Sequence, residues 1–110
     1  MIDWTRVKEL QDEIGADDFA EVVQLFLEET DAVVERLIAS PRLTEIEALL
    51  HFLKGSAVNL GLATLARLCA DGERMAAGGQ PQEVGLAAVA DAYARSKDAF
   101  LTGLENRRAA

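Results

Sequence analysis

Residues 51–61, His-Phe-Leu-Lys-Gly-Ser-Ala-Val-Asn-Leu-Gly, contain the only histidine of the chain. Lys54 follows this histidine by three residues and Gly55 by four, so in a helix both lie one turn from His51. A neutral imidazole, with an ordinary pKa of about 6.5, is a competent nucleophile near neutral pH. A lysine ammonium one turn away can reach anionic oxygens carried on that imidazole. The spacing therefore predicts a reactive histidine with a cation beside it.

A helical wheel places these residues away from the core. At about 100° per residue, six apolar residues fall within about 60° of one line: Ile46, Leu49, Leu50, Leu53, Ala57 and Leu60. On the same wheel His51 lies at about 140°, Lys54 at about 80°, Val58 at about 120° and Gly55 at about 180°. Ser56 lies to the side, which predicts local packing or a backbone hydrogen bond. A glycine within a helix costs about 1 kcal/mol relative to alanine. Clearance for a bulky group or an approaching protein surface would explain it.

Five helices are predicted to position this stretch, a short one at the N-terminus and four long amphipathic ones. Asp3 is the expected N-cap of the first, with Trp4 anchored by burial. Thr44 and Glu47 have the form of a capping box for the third, and Gly61 the form of its terminator. The predicted bounds are 3–14, 17–39, 44–60, 62–77 and 81–105, with Pro81 in the first turn of the last helix and residues 106–110 as a frayed tail.

The apolar faces of these helices are predicted from spacing. The second helix presents Phe19, Val22, Val23, Phe26, Thr30, Val33, Val34 and Leu37 on one line. Leu25, Leu27 and Ile38 flank that line, where they either seal the edges against neighbouring helices or form an apolar docking patch. The fourth helix turns Leu62, Leu65, Leu68, Cys69, Gly72, Met75 and Ala76 to one side, and the fifth turns Leu86, Val89, Tyr93, Ser96, Phe100 and Leu104 inward.

Composition and connection lengths indicate the fold class. The apolar fraction is 50%, aromatic residues make up only 5%, and alanine and leucine dominate over β-branched residues. Short connections force neighbouring helices to run antiparallel. We therefore expect an all-α fold, an antiparallel up-down-up-down four-helix bundle with a short extra N-terminal helix, as a single domain over residues 1–110.

Charge and cysteine content exclude several function classes. The net charge of −8 opposes binding to a phosphate backbone, so no nucleic-acid partner is expected. The sequence has no apolar run long enough for a membrane span, so neither a signal peptide nor membrane association is expected. Cys69, the only cysteine, suits a reducing compartment. These features predict a cytoplasmic protein, and a bundle of this length is expected to be a monomer.

The sequence has no nucleotide or metal motif. It contains neither a glycine-rich phosphate loop nor a P-loop ending in lysine and serine or threonine. One histidine and one inward cysteine on different helices do not make a zinc site. No cofactor, no bound metal and no unaided catalysis are therefore expected.

The wider string around the histidine resembles the signature of histidine-containing phosphotransfer (HPt) domains. The central motif is His51-Phe52-Leu53-Lys54-Gly55-Ser56, followed by Asn59-Leu60-Gly61-Leu62. The resemblance covers nearly the whole chain. It continues into the next helix through Leu65, Leu68 and Cys69, and it is also seen in Ile2-Asp3-Trp4 and in Phe26-Leu27-Glu28-Glu29-Thr30.

This resemblance implies a bundle whose exposed histidine carries a phosphoryl group between receiver-domain aspartates. His51 would be phosphorylated on Nε2, Lys54 would stabilise the phosphoryl oxygens, and Gly55 would keep the approach open. The implied partners are response-regulator receiver domains, which supply Mg²⁺, and an upstream hybrid histidine kinase. The chain would then be a phosphoryl carrier that depends on partner domains for catalysis.

The fourth helix departs from one pattern of this family. Some members carry a glutamine and a second basic residue near the histidine, where this chain has Glu73 and Ala77. Glu73 either accepts the imidazole N–H and orients the ring, or is a solvated charge. Two other functions also fit the sequence, a non-catalytic helical interaction bundle and the phosphoryl-bearing domain of a larger histidine kinase.

Overall fold

The computed structural model describes residues 1–39 and 41–109, and the regular structure of these residues is helical. Five α-helices follow one another: α1 Trp4–Ile14, α2 Ala16–Ile38, α3 Ile46–Leu60, α4 Ala63–Ala77 and α5 Leu86–Ala109. Short 3₁₀ turns at Leu43–Glu45 and Pro81–Glu83 precede α3 and α5. One isolated antiparallel bridge joins Ile2 to Leu62. The all-α prediction is confirmed. No helix within the described ranges has the length and apolar character needed to cross a membrane.

The four long helices surround a common apolar core. α3 packs against α4, α4 against α5, α5 against α2 and α2 against α3, which closes a ring, while α1 contacts α2 and α3. Every helix contributes buried residues to the core, which includes Val7, Leu10, Phe19, Val23, Leu27, Leu37, Leu50, Leu53, Leu60, Leu65, Cys69, Val89, Tyr93 and Phe100. The result is a helical bundle in which α3 and α4 form the closest pair.

The short helix α1 begins as predicted and is held by its tryptophan. The Asp3 carboxylate accepts the Arg6 backbone N–H at 3.2 Å, which satisfies a free donor of the first turn. Gly15, with a positive φ of 96°, ends the helix. The Trp4 ring stacks on Phe100 with 6.1 Å between the centroids, and the Arg107 guanidinium lies 3.9 Å above the Trp4 ring. A Cβ at Gly103 would overlap the Trp4 ring, so this glycine makes room for it.

The predicted capping box at Thr44 and Glu47 is wrong. Thr44 lies inside the 3₁₀ turn, and α3 begins only at Ile46. Glu45 makes the contacts instead: its carboxylate accepts the Arg42 backbone N–H at 3.4 Å and pairs with Arg36 of α2 at 2.8 Å. An ion pair with α2 therefore fixes the start of α3, and no local sequence motif predicts this ion pair.

The two ends of α5 also differ from the prediction. Pro81 opens a separate 3₁₀ turn, because the backbone is extended at Val84 and helical bonding resumes only at Leu86. At the other end α5 continues to Ala109, beyond the predicted end at Glu105. Ala110 of the predicted frayed tail lies outside the described residues, as does Ser40 of the predicted break before α3. The contact of Arg107 with Trp4 explains the added turn.

Most predicted apolar faces are confirmed. In α5, Val89, Tyr93, Ser96 and Phe100 are buried. In α4, Met75 is exposed, although it was predicted on the same side as the buried Leu65 and Cys69. In α2, Leu27 is buried and seals the core, but Leu25 and Ile38 are exposed.

A polar connection between α2 and α5 was not predicted. Asp31 accepts the hydroxyl of Tyr93 and pairs with the Lys97 ammonium at 2.9 Å. A charged group thus ties these two helices together at the edge of the core.

Candidate functional site

The end of α3 is fixed by contacts with the N-terminal segment. Gly61 adopts the left-handed conformation, with φ 78° and ψ 22°, and ends the helix as predicted. Its carbonyl accepts the Asp3 N–H at 2.7 Å, and the Asn59 carbonyl accepts Arg6 Nε at 3.2 Å. A side chain at Gly61 would place its Cβ 2.7 Å from the Asp3 carbonyl oxygen, so only glycine fits this turn. Asn59 is thus a helix-end residue bonded through its backbone.

α3 separates a buried face from an exposed one, as the wheel predicts. Ile46, Leu50, Leu53, Ala57 and Leu60 are almost completely buried. On the other side 72% of the His51 side chain is exposed, and Lys54 is half-buried next to it. Ser56 is buried, which agrees with its predicted packing role. The imidazole is therefore accessible to a partner, and the core does not depend on it.

Glu73 of α4 lies between the histidine and the lysine. His51 Nδ1 is 2.9 Å from Glu73 Oε2 and 3.2 Å from Oε1. Lys54 Nζ is 2.7 Å from Oε1 and 3.2 Å from Oε2 of the same carboxylate. Of the two alternatives for Glu73, the structure has the one in which its carboxylate contacts the imidazole nitrogen. Ala77 lies exposed at the end of α4 and is not among these contacts.

The carboxylate determines which nitrogen of the ring carries the hydrogen. The hydrogen bonds from Lys54 and then from His51 lower the pKa of Glu73, although its burial opposes the shift. An ionised carboxylate only accepts hydrogen bonds, so Nδ1 must be the donor. In the neutral ring the hydrogen then sits on Nδ1, and Nε2 keeps its lone pair on the side facing away from Glu73. The nitrogen that keeps a lone pair is therefore the one that does not contact Glu73.

Gly55 has no structural explanation within the bundle. It lies exposed inside α3, where its backbone has the ordinary helical conformation. A Cβ built at this position meets no heavy atom within 4 Å. Alanine would therefore fit without rearrangement, and packing does not account for the glycine.

Exposed apolar side chains lie on the same helices as these polar groups. Val58 is exposed on α3, as predicted. Phe52 follows His51 directly and is 43% exposed, and Met75 is exposed two residues after Glu73. The wheel places Phe52 outside the apolar stripe of α3, and this position indicates from the sequence that the side chain is exposed.

The remaining polar or reactive groups do not add to this site. Cys69 is fully buried one turn before Glu73, and burial raises the pKa of its thiol to about 12, helped by the Glu73 charge. The thiol is therefore protonated and inert at neutral pH. Histidine, cysteine and acidic residues form no cluster suited to a metal ion in the described part of the chain. A groove of about 790 Å³ lies elsewhere, between α1, α2 and the end of α5.

Comparison with known proteins identifies the family. Neither the curated proteins nor the solved structures contain a significant match to the chain. The family model of the Hpt domain matches residues 21–106, which include all of α3, α4 and the His51–Glu73 contact. Such domains are the histidine-containing phosphotransfer domains of phosphorelays. They are phosphoryl carriers, and they interact with receiver domains and kinases. The chain belongs to the Hpt domain family.

Proposed function

We propose that this protein is a phosphorelay intermediate that carries a phosphoryl group on His51 Nε2 between receiver-domain aspartates. The observation that carries the proposal is the His51–Glu73 contact of 2.9 Å on an imidazole that is 72% exposed. It leaves the Nε2 lone pair directed away from the bundle. His51 is also the only histidine of the chain.

Lys54 is proposed to stabilise the phosphoryl oxygens. Its ammonium has three hydrogens, and the Glu73 carboxylate holds it one turn from the ring. A group on Nε2 brings negative oxygens to the exposed side of the ring, where part of the ammonium is free to bond to them. Because Glu73 contacts Nδ1, its own negative charge lies on the opposite side of the ring from the phosphorus.

Gly55 is proposed to provide clearance for the partner. Its missing side chain lies on the exposed side of α3, one turn after His51. Helical glycine is destabilising, and no neighbour within 4 Å of the Cβ position explains it. Close approach of another protein is an external reason that fits both facts.

The partners are proposed to be receiver domains and an upstream hybrid histidine kinase. The receiver would supply the aspartyl phosphate, the acidic pocket and Mg²⁺, while this chain would supply the imidazole and a docking surface that includes Val58. We further propose that the protein acts as a monomer in the cytoplasm and as one domain over residues 1–110. Its short connections and closed ring of helix contacts support an antiparallel up-down-up-down arrangement.

Phosphoryl transfer from a receiver tests the proposal. Incubation with a phosphorylated receiver domain should label the wild-type protein with phosphate that is labile in acid and stable in base. His51→Ala should remove the label without loss of helicity, because the side chain is outside the core. Equal labelling of His51→Ala would contradict the proposal, because the phosphate would then be carried on another residue. A wild-type protein that takes up no label would favour a non-catalytic helical bundle instead.

The role of Lys54 needs a separate variant. Lys54→Ala should slow the labelling on the order of tenfold, because one charge that neutralises the phosphoryl oxygens is lost. Lys8→Ala is a matched control, since Lys8 is an exposed lysine paired with Asp12 on α1. Transfer rates that are the same in Lys54→Ala and wild type would remove Lys54 from this role.

A further inference from the structure

We infer that Glu73 keeps the His51 ring protonated on Nδ1 after phosphorylation, and so keeps the phosphoryl group in its transferable form. The inference rests on the proposed function and concerns the phosphorylated state of the same site. A phosphoryl group in this form is passed on to an acceptor and is not stored on the histidine.

The placement of Glu73 is fixed by close packing of α4 on α3. Its side chain is only 15% exposed, although the His51 ring that it contacts is open to solvent. A Cβ at the preceding Gly72 would lie 3.0 Å from a methyl carbon of Leu50 on α3 and 3.1 Å from one of Val84. The glycine thus lets the two helices approach where Glu73 meets the ring. The packing at Gly72 therefore places the Glu73 backbone close to the ring.

The proton on Nδ1 matters because of the proton balance of the transfer. The Nε2 lone pair attacks the phosphorus of the aspartyl phosphate, an N–P bond forms, and the O–P bond breaks with its electron pair going to the aspartate carboxylate. No proton moves in this step. The ring still carries hydrogen on Nδ1, so the product is a positively charged phosphoimidazolium. Its Nδ1–H then donates to the Glu73 carboxylate as one ion to another, a stronger bond than before.

The reverse step depends on the same proton. When an acceptor carboxylate attacks the phosphorus, the N–P electron pair returns to Nε2. With hydrogen on Nδ1 the leaving group is neutral imidazole, whereas without it the leaving group is an imidazolate anion, which leaves far less readily. Glu73 favours the protonated ring by its charge and opposes the deprotonated ring, whose Nδ1 lone pair would face an acceptor.

Other charges near the ring have smaller or opposing effects. The Lys54 ammonium disfavours a second positive charge, but it is paired with the same carboxylate at 2.7 Å. Glu47 lies one turn before His51 on α3 and is exposed. α2 also packs on α3, and within the described residues it makes no hydrogen bond or ion pair with His51. Among the described residues, Glu73 is the charged group that contacts Nδ1.

The experiment measures the proton on Nδ1 directly. The protein is phosphorylated with phosphoramidate, a small donor that needs no partner protein, and Nδ1 is titrated by nitrogen-15 NMR. We expect wild type to keep the proton to a higher pH than free Nε2-phosphohistidine in the same buffer. In Glu73→Gln, which preserves side-chain size, the titration midpoint should fall by about one pH unit. Glu47→Gln, the matched control, removes a nearby charge without touching Nδ1 and should shift it much less.

The transfer rate provides a second readout. Above both midpoints, a shift of about one unit lowers the protonated fraction about tenfold, so transfer from Glu73→Gln to a receiver should be about tenfold slower there. Below both midpoints the two rates should differ by less, because only the loss of the contact that holds Lys54 remains. A purely structural role would lower the rate by the same factor at every pH.

Two outcomes would overturn the inference and leave the proposed function intact. One is a wild-type midpoint no higher than that of free Nε2-phosphohistidine, which requires no variant to fold. The other is the same midpoint in Glu73→Gln and wild type. By contrast, failure of a phosphorylated receiver to label His51 would contradict the proposed function itself.

Discussion

Replacing Gly55 with alanine is expected to make the protein more stable. The added Cβ meets no heavy atom within 4 Å, and the backbone at this position is already helical, so no strain opposes the change. The gain is then the difference in helix propensity, about 1 kcal/mol in the free energy of unfolding. For a chain of 110 residues this corresponds to a rise in Tm of about 4 °C.

Urea and thermal unfolding followed by circular dichroism measure this change. A lower free energy of unfolding in Gly55→Ala would refute the reasoning, because it would mean that the bundle itself needs the glycine. No change would also contradict it, since the cost of a helical glycine would then be absent at this position.

A larger side chain at the same position tests the proposed clearance. Gly55→Gln should stabilise α3 in a similar way, but it should slow transfer from a receiver on the order of tenfold by misplacing the partner. Ala94→Gln adds the same side chain to an exposed position of α5, which is not packed on α3, and should leave transfer unchanged. Transfer by Gly55→Gln at the wild-type rate would show that the open surface at Gly55 is not used.

Two further predictions concern the bundle. Gly103→Ala should lower the free energy of unfolding by up to about 2 kcal/mol: moving the Trp4 ring off Phe100 costs about 1–3 kcal/mol, and the helical alanine returns about 1 kcal/mol. The fluorescence of the single tryptophan should report the change; Gly55→Ala, a helical glycine whose Cβ meets no heavy atom within 4 Å, is the control. Burial of the Asp31 carboxyl raises its pKa, but hydrogen bonds from Tyr93 and Lys97 outweigh this and lower it overall. The resulting stability is present above the unfolded pKa and is lost as pH falls through the lower folded value. Since Asp31 is 39% exposed, we expect its interactions to contribute less than about 1 kcal/mol to the free energy of unfolding. Asp31→Asn should show a correspondingly shallower stability loss between about pH 5 and pH 2; an equally steep loss would contradict this assignment.

The helical periodicity was sufficient to predict the buried and exposed faces of α3. Apolar spacing depends only on the geometry of one helix, so the buried Leu50 and the exposed His51 both follow from it. Helix ends were less predictable, because they depend on contacts between elements. The ion pair between Arg36 and Glu45 displaced the expected cap at Thr44.

The site was predictable only in the part that lies on one helix. The spacing of His51, Lys54 and Gly55 placed them on the exposed side of α3 without knowledge of any other element. The orientation of Glu73 towards the ring depends on how closely α4 packs on α3, and no pattern within α4 contains that distance. The fit of Trp4 over Gly103 has the same origin, since it joins the two ends of the chain.

The turn at Gly61 also has a consequence for folding. His51 and Glu73 are separated by 22 residues. They lie on α3 and α4, which are joined by one tight turn. Closing such a short loop costs little chain entropy, and contacts that are local in sequence form fast. The α3–α4 hairpin can therefore assemble the reactive group and its carboxylate before the distant helices α2 and α5 are brought together. The His51–Glu73 contact is thus among the more local contacts between helices of this bundle.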